Sequence, residues 1–272
     1  MKKLLLLTAM WMVVSAAASQ TNVVVKYSVG NNYGKEMTLV ASPEKSLYYN
    51  AMSQYVDSCE STPEGKAKLH EIQMKAWRVV QPDGTVTYDG RKLGLAPEKS
   101  ITLYIEKSNA EGHLTVYDHI AGGSYRYAEP MDEIVWQIEE DSVKKILGFD
   151  CIMAVSDYHG RRWTAWFAPD IPISDGPWKL RGLPGMILQA DGGNGFTVDA
   201  TEVGSTSVAV PPVYSTDTYE RCSRLKILAD HEYYENNLES ILLAQGVKIN
   251  GDGSPANFPK YDRQKSAWET DY

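Results

Sequence analysis

The sequence predicts an α+β protein: a mainly antiparallel β-sheet, curved toward a half-open barrel, with a few helices packed on one side. Three observations predict it. Between Ser100 and Val210, short runs of β-branched and aromatic residues are separated by glycine-bearing turns at hairpin spacing. Helical periodicity is confined to two stretches, one after Ser61 and one after Pro212. The 272 residues, 43% hydrophobic and 10% aromatic, suffice for one sizeable core. A net charge of −8 without a basic block excludes the counterion-release chemistry of nucleic-acid binding.

Taken in order, Met1-Lys2-Lys3, the apolar run Leu4–Val14 and the small residues Ser15–Ser19 have the three regions of a signal peptide, with cleavage expected after Ala18 or Ser19. The apolar run is about half the length that crosses a bilayer, and no later stretch approaches that length, so no transmembrane segment is expected. The first cysteine is Cys59, far from the cleavage site, which leaves no N-terminal cysteine for a lipid anchor. Residues 1–19 thus read as a leader, 20–249 as a single β-rich domain and 250–272 as a loose C-terminal tail. The expected location is the periplasm or the outside medium. There thiols tend to pair, and Cys59, Cys151 and Cys222 allow one disulfide and one leftover thiol.

Thr21–Val29, Glu36–Val40 and Ser46–Tyr49 read as strands bounded by Asn, Gly and Pro. Ser61-Thr62-Pro63-Glu64 supplies a hydroxyl cap, a first-turn proline and a carboxylate at the positive end of the dipole, and opens a helix expected over 63–80. Ile101–Ile105 and Leu114–Tyr117 flank a turn at Glu111-Gly112, followed by strands at 124–128 and 134–138. Two further hairpins are expected, 151–158 with 162–168 around His159-Gly160-Arg161, and 186–190 with 196–203 around Asp191–Gly195. Tyr219, Cys222, Leu225 and Leu228, then Leu238, Ile241 and Leu242, suggest C-terminal helices ending near Gly246.

Residues 161–191 are the most distinctive. Pro169, Pro172, Pro177 and Pro184 make a stiff path that is neither helix nor central strand, and Leu183-Pro184-Gly185-Met186 fits a type II turn. Gly182-Leu183-Pro184-Gly185-Met186-Ile187, with Lys145–Cys151, Gly160–Phe167 and Ile171–Lys179 upstream, closely resembles the GLPGLI family of Gram-negative envelope proteins. Met186 replaces the family leucine, and Met153 stands where a lysine is looked for. The resemblance implies a secreted or periplasmic protein, with no activity or cofactor attached to the family, and casts Gly182, Leu183, Pro184 and Gly185 as a structural motif.

Trp166, Trp178, Lys179 and Arg181 could line a groove for an apolar or sugar-like ligand, since indoles offer contact area and basic groups a polar handle. The alternative is that the tryptophans and prolines brace a rigid turn against the sheet. Trp163 and Trp166 have opposite strand parity, so they should lie on opposite faces. His231-Glu232-Tyr233-Tyr234-Glu235 lacks the second imidazole of a zinc helix, and no metal or cofactor is expected. No Gly-x-Ser-x-Gly elbow occurs, and Cys151 and His159 lie too far apart on one strand to form a catalytic pair. The functional expectation is an exported, non-catalytic binding or accessory protein whose partner is an apolar small molecule, a peptide or an envelope protein. An envelope hydrolase and a structural partner of an outer-membrane assembly are the alternatives.

Overall fold

The computed structural model describes residues 22–30, 36–88, 95–120, 122–244 and 261–272. The expected leader at 1–19, the start of the first expected strand at Thr21, the expected helix end near Gly246 and residues 250–260 of the expected tail lie outside them.

Twelve strands form one sheet in the order β14-β8-β7-β6-β3-β2-β1-β13-β12-β11-β10-β9. It consists of two meanders. The first holds β1 (Asn22–Val29), β2 (Glu36–Ala41), β3 (Lys45–Tyr49), β6 (Tyr104–Ser108), β7 (His113–Ile120) and β8 (Gly123–Pro130). The second holds β9 (Gln137–Ile146), β10 (Phe149–Tyr158), β11 (Arg161–Ala168), β12 (Met186–Asp191) and β13 (Thr197–Thr206). Antiparallel pairing of β1 with β13, from Asn22↔Thr206 to Val29↔Val198, sutures the two. Among the described residues, only the two-residue β14 (Glu220–Arg221) pairs in parallel, with β8.

The sheet is curled but open. A flat sheet would hold β8 and β9 about 48 Å apart, ten strand spacings. Residues 131–136 join Pro130 to Gln137, a link that reaches at most about 25 Å. The link itself fills the gap between the two edges: Ser156 Oγ donates to Val135 O (2.8 Å) and Trp136 Nε1 donates to Arg181 O (2.8 Å).

The concavity is filled by the chain itself. Val25, Tyr27, Leu39, Tyr48, Ile105, Val116 and Trp163 point inward from the strands and, with Phe196 of the β12–β13 turn, meet Ile171, Ile173, Trp178, Leu180 and Leu183 of the proline-rich segment. An interior open to an apolar ligand is therefore not found among the described residues. The other face of β2, β3, β6 and β7 carries a smaller core of Val40, Leu47, Tyr49, Tyr104 and Tyr117, covered by Val210 and Tyr219.

Two tight hairpins explain themselves locally. His159-Gly160 (φ +50° and +77°) and Leu147-Gly148 (φ +49° and +89°) are two-residue loops with both φ positive, the type I′ geometry whose twist suits paired strands. The expected strand at 134–138 is instead the link and the start of β9, and the expected 101–105 strand begins at Tyr104. Helix α1 (Ala51–Glu60), capped by Asn50, was not expected. Helix α2 (Pro63–Trp77) is capped by Thr62, as the hydroxyl cap suggested, but it ends before Val80. The β-branched pair Val79-Val80 and the Pro82-Asp83-Gly84 turn make a separate hairpin, β4 (Arg78–Val80) with β5 (Val86–Tyr88). Helix α3 (Arg224–Ala244) starts after Tyr219 and Cys222, which instead follow a 3-10 turn (Thr216–Thr218) and the short strand β14, respectively.

All three cysteines are free, so the expected disulfide is absent. Cys151 is held in β10 and Cys59 in α1, with no partner thiol brought near either. Residues 261–272 are not loose. They carry a short helix, α4 (Arg263–Ser266), and pack across the mouth of the curled sheet, because Trp268 and Glu269 find specific partners there.

Candidate functional site

The proline-rich segment turns by three-residue bends, two in succession at 171–175 and one at 183–185. Ile173 N–H donates to Ile171 O (2.7 Å), Asp175 N–H to Ile173 O (2.9 Å) and Gly185 N–H to Leu183 O (2.8 Å). The last bend corrects the expected type II turn: Gly185 has φ +156°, and Met186 N–H bonds Ile171 O instead of Leu183 O. Gly185 is required by a close approach, since a Cβ there would stand 2.3 Å from Ala168 O. At Gly182 the requirement is conformational, with φ +90° and only an ordinary van der Waals contact, the Trp136 ring at 3.7 Å, awaiting a Cβ. Lys107 of β6 anchors the segment, bonding the Asp175 carboxylate and Gly176 O (2.8 Å). Burial pulls the Lys107 ammonium down and Asp175 opposes it.

The four candidate groove residues are divided by the fold. Trp166 lies half-buried on the outer face with Lys144 4.0 Å above its ring, whereas Trp163 is fully buried inside, as their parity requires. Trp178, Lys179 and Arg181 are buried at the mouth of the interior. Trp178 holds a positive φ of +53°, a strained conformation for a bulky residue. Its ring is boxed by Trp163 at 5.7 Å and Trp268 at 5.5 Å, the latter nearly parallel. Arg181 donates to Asp132 O and spans to the 131–136 link.

Around Lys179 gathers a charge cluster that no motif announced. Lys179 Nζ is 2.7 Å from Glu129 Oε1 and 2.7 Å from Glu269 Oε1, and 5.1 Å from the Tyr127 ring. Arg224 grips Glu269 Oε2 and Asp271 Oδ1, and His159 lies 3.5–3.7 Å from Glu129, Glu269 and Asp271. Burial pushes the Glu129 carboxyl up, but the His159 hydrogen bond and the Lys179 charge outweigh it and hold it down to about 2. His159, Glu269 and Asp271 bring their ligand atoms within 4.8 Å of one another, a spacing that could hold a cation. Lys179 and Arg224 already neutralise those carboxylates, so the arrangement is an ion-pair knot. Glu129, Arg224 and Glu269 come from three distant segments, which is why spacing along the chain did not reveal them. The one signal was Trp268, a bulky indole in a tail with little periodicity.

A second location is an open cleft of about 490 Å³ on the outer face, between α1–α2, the 95–103 segment, the β7–β8 turn and residues 214–219. Asp57 and Glu60 share Lys99 at 2.6 Å each, and Tyr104 donates its hydroxyl to Asp57. Lys66 and His70 enter from α2. His119 Nδ1 lies 3.1 Å from Ser124 Oγ. The far wall contains Ser215 at φ +52° and Tyr219, whose hydroxyl burial and the Asp57 charge push up to about 12. This wall packs by Tyr219 against Tyr117, ring centres 5.2 Å apart. His231, dismissed as a zinc ligand, bonds Asp118 at 2.7 Å and ties α3 to β7.

The informative stretch of the sequence is also where comparison with known proteins finds a match. A family model described as a protein of unknown function (Porph_ging) matches residues 158–189, from the β10–β11 turn through the proline-rich segment into β12. None of the curated proteins compared with the chain matches it. Among solved structures it is similar to one titled "Structure of PNGF-II in P21 space group", with 13% identity and a TM-score of 0.48 over 78% of this chain and 33% of that one. A second, "Structure of PNGF-II in C2 space group", shares 12% identity at a TM-score of 0.46 over 77% and 32%. The chain spans about a third of the length of these structures. The local family match is thus to proteins of unknown function, on a sheet-rich α+β scaffold.

Proposed function

We propose that this chain is an exported, non-catalytic binding or accessory protein of the cell envelope, built on a half-open barrel that is filled by its own proline-rich segment. The leader-like residues 1–19 and the GLPGLI-like run at 182–187 support export and an envelope setting. The ligand site is the outer cleft, and the observation that carries this reading is its lining. Both signs of charge, hydroxyls and tyrosine rings converge on about 490 Å³, while the interior has been given over to packing. Because Asp57 and Glu60 are engaged by Lys99, the groups left for a ligand are Lys66, His70, His119 and the hydroxyls, which suit a polar small molecule or peptide carrying an acidic group. Native mass spectrometry of the protein isolated from its own cells tests this. A bound species that disappears in Lys66→Ala/His70→Ala protein is expected, and its absence from the unaltered protein refutes the reading.

The His119–Ser124 contact favours a second reading, an envelope hydrolase in which His119 activates Ser124, since 3.1 Å is within proton-transfer reach. Any hydrolysis found should then vanish in Ser124→Ala protein. Retained activity removes Ser124 as the nucleophile.

A further inference from the structure

We propose that the groove over Trp178 and Lys179 is a recognition site for an extended peptide carrying tryptophan followed by acidic side chains, filled in this chain by its own residues 267–271. The groove is separate from the outer cleft and requires an acidic occupant. Arg161, Lys179 and Arg224 bring three fixed positive charges, against which the rest of the groove, among the described residues, sets the carboxylate of Glu129. Lys179 is fully buried, and leaving it and Arg224 without carboxylates would be costly. In a chain of net charge −8 this local excess of cations stands out.

The tail meets the groove as a bound peptide would. Trp268 stacks on Trp178 and turns its edge to Phe196 (4.9 Å) and Tyr48 (6.2 Å). Glu269, 2% exposed, is shared by Lys179 and Arg224, and Asp271 takes the second arm of Arg224. Recognition of the main chain is separate from that of side chains. Arg161 donates to the carbonyls of Gln264 and Ala267 (2.9 Å each), and Thr270 N–H donates to His159 O (3.0 Å). Gly160 keeps the floor bare, since a Cβ there would stand 2.5 Å from Thr270 Oγ1 and 2.7 Å from Asp271 N. Apart from Glu269, the tail residues stay half-buried or exposed, so they lie on the molecule and not within its core.

A labelled peptide of residues 261–272, offered in trans to the full chain, tests the proposal. In the unaltered protein the tethered tail competes at an effective concentration on the order of millimolar. Full-length protein with Trp268→Ala and Glu269→Gln should therefore bind the peptide at least about tenfold more tightly than the unaltered protein does. The same peptide with Trp268→Ala should bind neither. A folded variant that ignores the peptide, or a variant that cannot fold, overturns the proposal. Hydrogen exchange of the unaltered chain gives an independent check. The Thr270 amide should exchange about 100-fold or more faster than the core amides of β11. Equal rates would mean that the tail opens only with the whole molecule, and would also overturn it. Failure on either count leaves the cleft reading untouched, since that depends on groups at the opposite face.

Discussion

At the scale of single residues, the two motif glycines serve different needs and should be separable by mutation. Gly185→Ala drives a Cβ into the Ala168 carbonyl and should cost about 2–4 kcal/mol, whereas Gly182→Ala meets only the penalty of its φ and should cost about 1–2 kcal/mol. Urea denaturation of both variants checks the ranking, and equal losses would show that the close approach at Gly185 relaxes freely. Lys179→Ala should be worse than either, by about 3–5 kcal/mol, because it takes the shared cation from the half-buried Glu129 and leaves the buried Glu269 with Arg224 alone. Lys179→Met, which keeps most of the volume, separates charge from packing, and a variant as stable as the unaltered protein would contradict the ion-pair account. The parity of Trp163 and Trp166 was readable from spacing alone, since strand geometry forces alternate side chains to opposite faces. The partners of Lys179 were not, because Glu129 lies 50 residues upstream and Glu269 lies 90 residues downstream of it.

At the scale of elements, each junction has its own pH signature. The folded Glu129 carboxyl sits near 2, below its ordinary 4.5, so the docking of β8 against the β10–β11 turn contributes stability that is complete above about pH 4.5 and is lost as the pH falls toward 2. The α3–β7 junction behaves in the opposite sense. Burial lowers the His231 pKa but the Asp118 hydrogen bond and charge outweigh it, with Glu235 and Asp230 adding to the rise. Its contribution is therefore full below the ordinary value of 6.5 and fades as the pH rises through the raised one. An NMR titration should find the His231 pKa above 6.5, falling in Asp118→Asn protein, and a value that ignores Asp118 would count against the junction. Hairpins around His159-Gly160 and Gly192–Gly195 were legible because their turn chemistry is local. Strand β9 was not, since Glu139-Glu140-Asp141 and Lys144-Lys145 make it a charged edge, and its register slips opposite Ile152 and Met153. Helix α2 was foreseen with its hydroxyl cap but ended too late, because a helical run can be extended through Val79-Val80 on paper while β-branched residues prefer a hairpin in space.

For the molecule as a whole, the suture of β1 to β13 and the shared interior bind the two meanders into one cooperative unit. Thermal unfolding followed by near-ultraviolet and far-ultraviolet circular dichroism should show a single coincident transition, and two resolved steps would mean that the meanders fold as independent bodies. The sequence by itself determined the class of the fold, the early, middle and late blocks of strand and helix, and the stiff, proline-bounded character of 169–184. Those properties depend on periodicity, propensity and turn chemistry, which act over a few residues. Only the tertiary structure decided that the proline-rich segment fills the concavity, that the tail lies across its mouth, that the three thiols stay apart, and that charged groups from separate segments meet at Lys179 and in the outer cleft. The reason is that these arrangements depend on how far the sheet curls, and curl accumulates strand by strand from twist and closure instead of being carried in any one stretch of chain.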